Sequence, residues 1–226
     1  MRNPVTSRSE PRWTRRKEAR PEEITRAALE LFVERGYAAT RLEDVATRAG
    51  VAKGTVYLYF ANKAELFKAV VREGIVSPIA EMRSMVQHFE GASFELLRLM
   101  LRGWWERIGS KPLSGIPKLI IAEAGNFPEI ARFYMTEVVE PGQAAIVDIV
   151  RRGIARGEFR NIDANDTALL IAAPMLLTAL WRNSLAPFAG AQLDEVKLLE
   201  AHLDTLRRAL LKDPDAASIN GRIRER

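Results

Sequence analysis

The stretch GVAKGTVYLYFANKAEL, residues 50–66, gathers groups suited to gripping a polyanion rather than to driving a reaction. Lys53 and Lys63 carry ammonium groups, Thr55, Tyr57 and Tyr59 carry hydroxyls, and Gly54 carries no side chain. Amines and hydroxyls hydrogen-bond phosphate oxygens, and small polar side chains reach base edges in a groove. On a helix turning about 100° per residue, Val56 and Phe60 fall only about 40° apart, on a face directed at a core. Gly54, Thr55, Tyr57 and Leu58 fall on the other side. That outward face is small, hydroxylated and aromatic, so it fits a DNA major groove, with Gly54 permitting close backbone approach.

Each residue also has a plainer reading. The tyrosines could be packing aromatics and Lys63 a solvated charge. Gly54 could simply begin a helix, since a glycine in a helix interior costs roughly 1 kcal/mol against alanine. Only the joint spacing favours a nucleic-acid surface.

The elements that must carry this segment are helices. Pro21 followed by Glu22 and Glu23 suits a helix start, and Ile24, Ala27, Ala28, Leu31 and Phe32 repeat at helical spacing until Gly36. Thr40-Arg41-Leu42-Glu43 has the pattern of a capping box and opens a second helix that Gly50 ends. A short third helix follows within a few residues, giving the compactness of a helix-turn-helix. Asn62-Lys63-Ala64-Glu65 offers another box and launches a long periodic segment to about residue 89, which Pro78 should kink or split.

The remainder is helical as well. Segments at 93–108 and 115–125 precede one that starts at Phe127-Pro128 and is broken by Pro141-Gly142. Another helix stops at Gly157, Asp163 to Asp166 supply cap residues for an apolar helix through Trp181, and a last helix spans about 192–212. No strand-like alternation intervenes. The expected class is all-α, with a basic arm at 1–20, a front domain at 21–68, a larger helical domain at 69–212 and a tail at 213–226.

Residues 21–68 resemble the DNA-binding domain of the TetR/AcrR family of transcriptional repressors. The resemblance rests on ITRAALELFVERG (24–36), YAATRLEDVATRA (37–49) and the segment from Gly50 to Leu66. It implies that Thr40, with Arg41 beside it, caps the second helix and touches DNA phosphate. It implies further that Lys53, Gly54, Thr55 and Tyr57 lie in the groove, and that Tyr59 and Lys63 contact phosphates. Leu58 departs from the histidine or other polar residue of many members; an apolar group there suits a thymine methyl.

The resemblance also implies a homodimer on a palindromic double-stranded operator and a small-molecule inducer held by the C-terminal helices. The family pairs its last two long helices, so the resemblance makes those around 165–184 and 192–212 the interface candidates. Val196, Leu199, Leu203, Leu206 and Leu210 form a stripe that faces either a partner or the chain's own core, and the family pattern favours the partner for some of them. Trp104, Trp105, Phe127, Phe133, Tyr134, Met175 and Trp181 supply enough large side chains to line an apolar cavity, or to fill a core.

Composition narrows the alternatives. No cysteine is present, so neither disulfides nor thiolate chemistry enters. His88 and His202 stand far apart without metal-ligand spacing, and no phosphate loop or nucleophile elbow occurs; the expectation is no metal, no cofactor and no enzyme. The start of the chain is polar and basic, and no unbroken apolar run approaches membrane-spanning length, so a soluble cytoplasmic protein is expected. Residues 1–20 hold seven basic side chains against Glu10 and Glu18, which equals the whole chain's net charge of +5. That arm suits either a polyanion or mere solubility. Two other functions stay open on sequence grounds: a nucleoid-type binder relying on the arm, and an all-α enzyme or carrier.

Overall fold

The computed structural model describes residues 21–190 and 192–212, so the arm at 1–20 and the tail at 213–226 lie outside the described residues. Among the described residues the chain is all-α. The front unit comprises α1 (Pro21–Arg35), α2 (Leu42–Ala49), α3 (Lys53–Tyr59) and α4 (Lys63–Val71). Behind it come α5 (Ser77–His88), α6 (Ser93–Trp104), α7 (Ile116–Glu123), α8 (Pro128–Tyr134), α9 (Glu140–Ala155), α10 (Ala164–Ser184) and α11 (Glu195–Leu210).

The helix ends follow from their residues. Gly36, Gly50 and Gly157 take left-handed backbone at φ 85°, 70° and 71°, the conformation that costs glycine nothing. Asn62 caps α4 by accepting the Glu65 N–H at 2.9 Å, and Asp163 caps α10 by accepting from Asn165 and Asp166 at 2.8 Å each. The box expected at Thr40 does not form. Arg41 occupies the cap position of α2 without a side-chain bond. The Thr40 hydroxyl instead turns back and donates to Gly36 O at 2.7 Å, in a site where Thr40 is 1% exposed.

Pro78 and Pro141, both expected to break their helices, are absorbed. A π-helical turn lies just upstream of each, at Arg72–Val76 and Met135–Val139, and contains the residue whose carbonyl the proline ring would strike. Helical backbone therefore runs from Lys63 to His88 and again from Pro128 to Ala155. The boundary expected at residue 68 falls inside the first of these. The two π turns are joined by a bidentate pair, Arg72 Nε and Nη2 to the Glu137 carboxylate at 2.9 and 2.7 Å.

Two apolar clusters fill the interior. One joins α1–α4 to Ile108, Ile116, Leu119, Ile130, Phe133 and Val138, so the front unit is seated on rear helices rather than tethered to them. The other lies among α6, α9, α10 and α11. It claims Leu199, Leu203, Leu206 and Leu210, which are 3–7% exposed, so of the two faces left open by the sequence these four take the chain's own core, which corrects the preference for a partner. Their 3–4 spacing marks a buried face, and that face meets the chain's own α6 and α10. Of the five, Val196 alone is open, at 60%. The unpartnered apolar face belongs to α10, where Leu169, Leu170 and Leu177 are 62–70% exposed. By length and composition α10 could cross a membrane, yet Ala168, Ile171 and Met175 on its other face pack in the core.

Candidate nucleic-acid interface

α2, a tight turn and α3 build the surface. Gly50 N–H bonds Thr47 O at 3.1 Å and Val51 N–H bonds Ala46 O at 2.9 Å, which closes α2 and reverses the chain. α3 is then pinned by Val56, fully buried, and by Phe60 just past its end. Between these anchors the opposite face is free: Leu58 is 78% exposed and Tyr57 and Tyr59 45% each. Gly54 is exposed too, and a Cβ added there would meet nothing within 4 Å. No fold-internal contact therefore requires glycine at this position. Thr55 is half-buried at the edge of the face.

Charge frames this face. Lys53 Nζ pairs with Glu43 of α2 at 2.6 Å and lies 5.6 Å from the centre of the Tyr57 ring. Its bond to Glu43 holds the Lys53 pKa above the ordinary lysine value, and the same bond lowers that of Glu43. Arg41 is exposed at the start of α2. On the far side of α2, Arg48 bridges Glu30 at 3.2 Å and Glu34 at 2.8 Å, fastening α2 to α1.

Lys63 has a second occupation. Its Nζ donates to Tyr37 O at 2.8 Å and Ala38 O at 3.0 Å, 4.6 Å above the Tyr37 ring. Burial there holds its pKa below the usual lysine value. An ammonium carries three donors, so one N–H remains for an outside acceptor. Thr40 has no such spare proton, because its only hydroxyl hydrogen is committed inward. The side chain positions the α1–α2 turn, which corrects its assignment as a phosphate ligand and cap.

The expected ligand residues do not converge on one cavity. Phe127 leaves the rear domain to pack on Tyr37, ring centres 4.8 Å apart, and Phe133 lies under Arg72 and Lys68. Burial pushes the Tyr134 phenol well above its ordinary pKa. Trp104 touches both apolar clusters. The Trp181 indole N–H is buried without a partner. Of these seven, Trp105 and Met175 line one cleft, with Pro174, Thr178, Glu195, Leu198, Leu199 and His202, and its volume is about 10 Å³. That is room for about one water. Pro174 lacks an N–H and so leaves Leu170 O without its helical donor. One residue on, His202 Nε2 donates to Ile171 O at 3.0 Å, because a carbonyl oxygen can only accept.

Sequence reasoning passed over Glu43, Tyr37 and Glu123. Glu43 reads in the sequence as the last residue of a capping box, and Glu123 is remote in sequence from the turn it touches.

Residues 24–70 match the bacterial regulatory proteins of the tetR family, and residues 95–196 match the tetracyclin repressor-like C-terminal domain. The chain belongs to the TetR family. This TetR-family regulator is similar to the HTH-type transcriptional regulator YdeS of Bacillus subtilis, 29% identical over 165 residues, covering 70% of this chain and 76% of the relative. It is similar as well to the fatty acid metabolism regulator protein of the same organism, 29% identical over 147 residues, covering 64% and 74%. In fold it matches the ketosteroid transcriptional regulator KstR2 of Mycobacterium tuberculosis, with a TM-score of 0.67 at 22% identity, over 89% of this chain and all of that one.

Proposed function

We propose that this TetR-family regulator is a ligand-responsive repressor that acts in the cytoplasm as a homodimer on a palindromic operator. One observation carries the reading: α3 is anchored by Val56 and Phe60 and leaves Gly54, Tyr57, Leu58 and Tyr59 open to a partner. Lys53, Gly54, Thr55, Tyr57 and Leu58 meet base edges, with Leu58 against a thymine methyl. Arg41, Tyr59 and the third N–H of Lys63 take phosphates.

A single seven-residue helix reads too short a site to bind tightly, and a twofold partner doubles the contacts at fixed half-site spacing. The open leucines of α10, together with Val196, supply the apolar face for that partner. The inducer binds in the rear domain by widening the cleft beside Trp105, Met175 and His202. A ligand that prefers the widened conformer by about 2.7 kcal/mol shifts the balance between states about 100-fold. Selection of bound fragments from random DNA tests the proposal. A palindromic consensus protected by the wild-type chain and lost on Tyr57→Ala supports it; protection without sequence preference, or full protection by the variant, contradicts it.

A further inference from the structure

The turn between α1 and α2 is held from two directions. From the front unit, Lys63 at the start of α4 donates to the carbonyls of Tyr37 and Ala38. From the rear domain, Glu123 at the end of α7 reaches across 85 positions of sequence, and its Oε1 accepts the Ala38 N–H at 3.1 Å. The same oxygen stands 3.6 Å from where a Cβ of Gly36 would lie. Phe127, four residues beyond Glu123, closes the edge of Tyr37. The carbonyls of Tyr37 and Ala38 and the amide of Ala38 are thus bound by side chains of α4 and α7.

The helices beyond the turn make this contact consequential. Thr40 is buried against α1 and Leu42 begins α2, so residues 36–40 share with the Arg48 bridges and the packing of Val45 and Ala46 in setting the direction in which α2 leaves. α3 packs on α2 through a three-residue turn and has no independent seat beyond Val56 and Phe60. A displacement of the turn shifts α2 and, through it, the open face of α3.

We propose that Glu123 is a positioning residue for DNA binding: a rear-domain carboxylate that grips the Ala38 amide and so fixes the angle at which α3 meets the groove. It deepens the repressor reading and rests on it. Any rearrangement that withdraws the end of α7 releases the turn. Glu123 touches no DNA, and it contributes geometry rather than charge.

The test compares Glu123→Gln with Glu123→Ala in the full-length chain. Both remove the same negative charge, but glutamine keeps an oxygen that accepts the Ala38 N–H. Operator affinity is read by fluorescence anisotropy across a salt series, and Ala38 amide exchange by NMR. The expected result is a loss of about fivefold in affinity for the alanine variant relative to glutamine, the net worth of one hydrogen bond, at unchanged salt slope. Ala38 exchange should quicken severalfold in the alanine variant alone. Equal affinities for the two variants, with equal Ala38 exchange, would overturn the proposal. A wild-type chain that binds no operator removes the repressor reading itself, and Ala38 exchange then still decides whether Glu123 holds the turn.

Discussion

Substituting Gly54 by alanine separates the two explanations of why that glycine is there, because they give opposite signs. In the free protein the position is helical, exposed and empty around an added Cβ. Alanine is better than glycine in a helix by about 0.8–1.0 kcal/mol in the interior, and somewhat less one residue from the start. For a domain of this size each 1 kcal/mol raises Tm by about 2–4 °C, so a gain of about 1–3 °C is expected. On DNA the same methyl sits where α3 must approach closely. Over-filling a packed contact costs about 1–3 kcal/mol, and two half-sites incur it twice. A loss of at least about 2 kcal/mol is roughly thirtyfold in operator affinity. Scanning fluorimetry and anisotropy on the same preparation give both numbers. A variant that is more stable and binds equally well would refute close approach and leave a mere helix-start glycine; a variant that is less stable would refute the open geometry itself.

Three further outcomes are expected. Leu177→Glu, on the open face of α10, should leave the helical signal and melting cooperativity intact while the mass in solution falls to that of one chain; burying each leucine contributes about 1.5–3 kcal/mol and the twofold axis counts it twice. Leu203→Ala, by contrast, opens a cavity in the chain's own core, and should lower folding stability by about 2–5 kcal/mol in urea unfolding while leaving the dimer contact untouched. The Arg72–Glu137 bridge holds the Glu137 pKa below the ordinary carboxylate value. Its contribution is therefore complete above about pH 4.3, the unfolded value, and is lost as pH falls through the lowered folded value. Half exposed, it is worth under about 1 kcal/mol, so Glu137→Gln should melt up to a few degrees below the parent at pH 7 and alongside it in strong acid.

The all-α class, the helix-turn-helix and the outward face of α3 were legible because local rules act there alone. Gly50 and Asn62 punctuate the chain by backbone conformation and capping, and the Val56–Phe60 spacing fixes which side of α3 is buried. Where tertiary contacts compete with a local rule, the sequence misled. Thr40 fits a capping box, yet carbonyls near the end of α1 take its hydroxyl. Pro78 and Pro141 signal breaks, yet a widened turn one step upstream admits each ring. The leucine stripe of α11 was recognisable as a buried face, but nothing in its spacing distinguishes a partner from the chain's own α6 and α10. α10 hid its open side for the opposite reason, being apolar nearly all round. The aromatics of the middle region were countable but not placeable, since Phe127 and Phe133 serve the junction with the front unit and only Trp105 and Met175 border the cleft.

The central claim is that the open side of α3 docks in a major groove. Hydroxyl-radical footprinting of the protein on its selected operator, beside methylation interference at guanine N7, is the sharpest test. Two protected half-sites one helical turn apart or a multiple of it are expected, with interference within each half-site and loss of both on Tyr57→Ala. Protection that persists in that variant, or that shows no half-site periodicity, would contradict it.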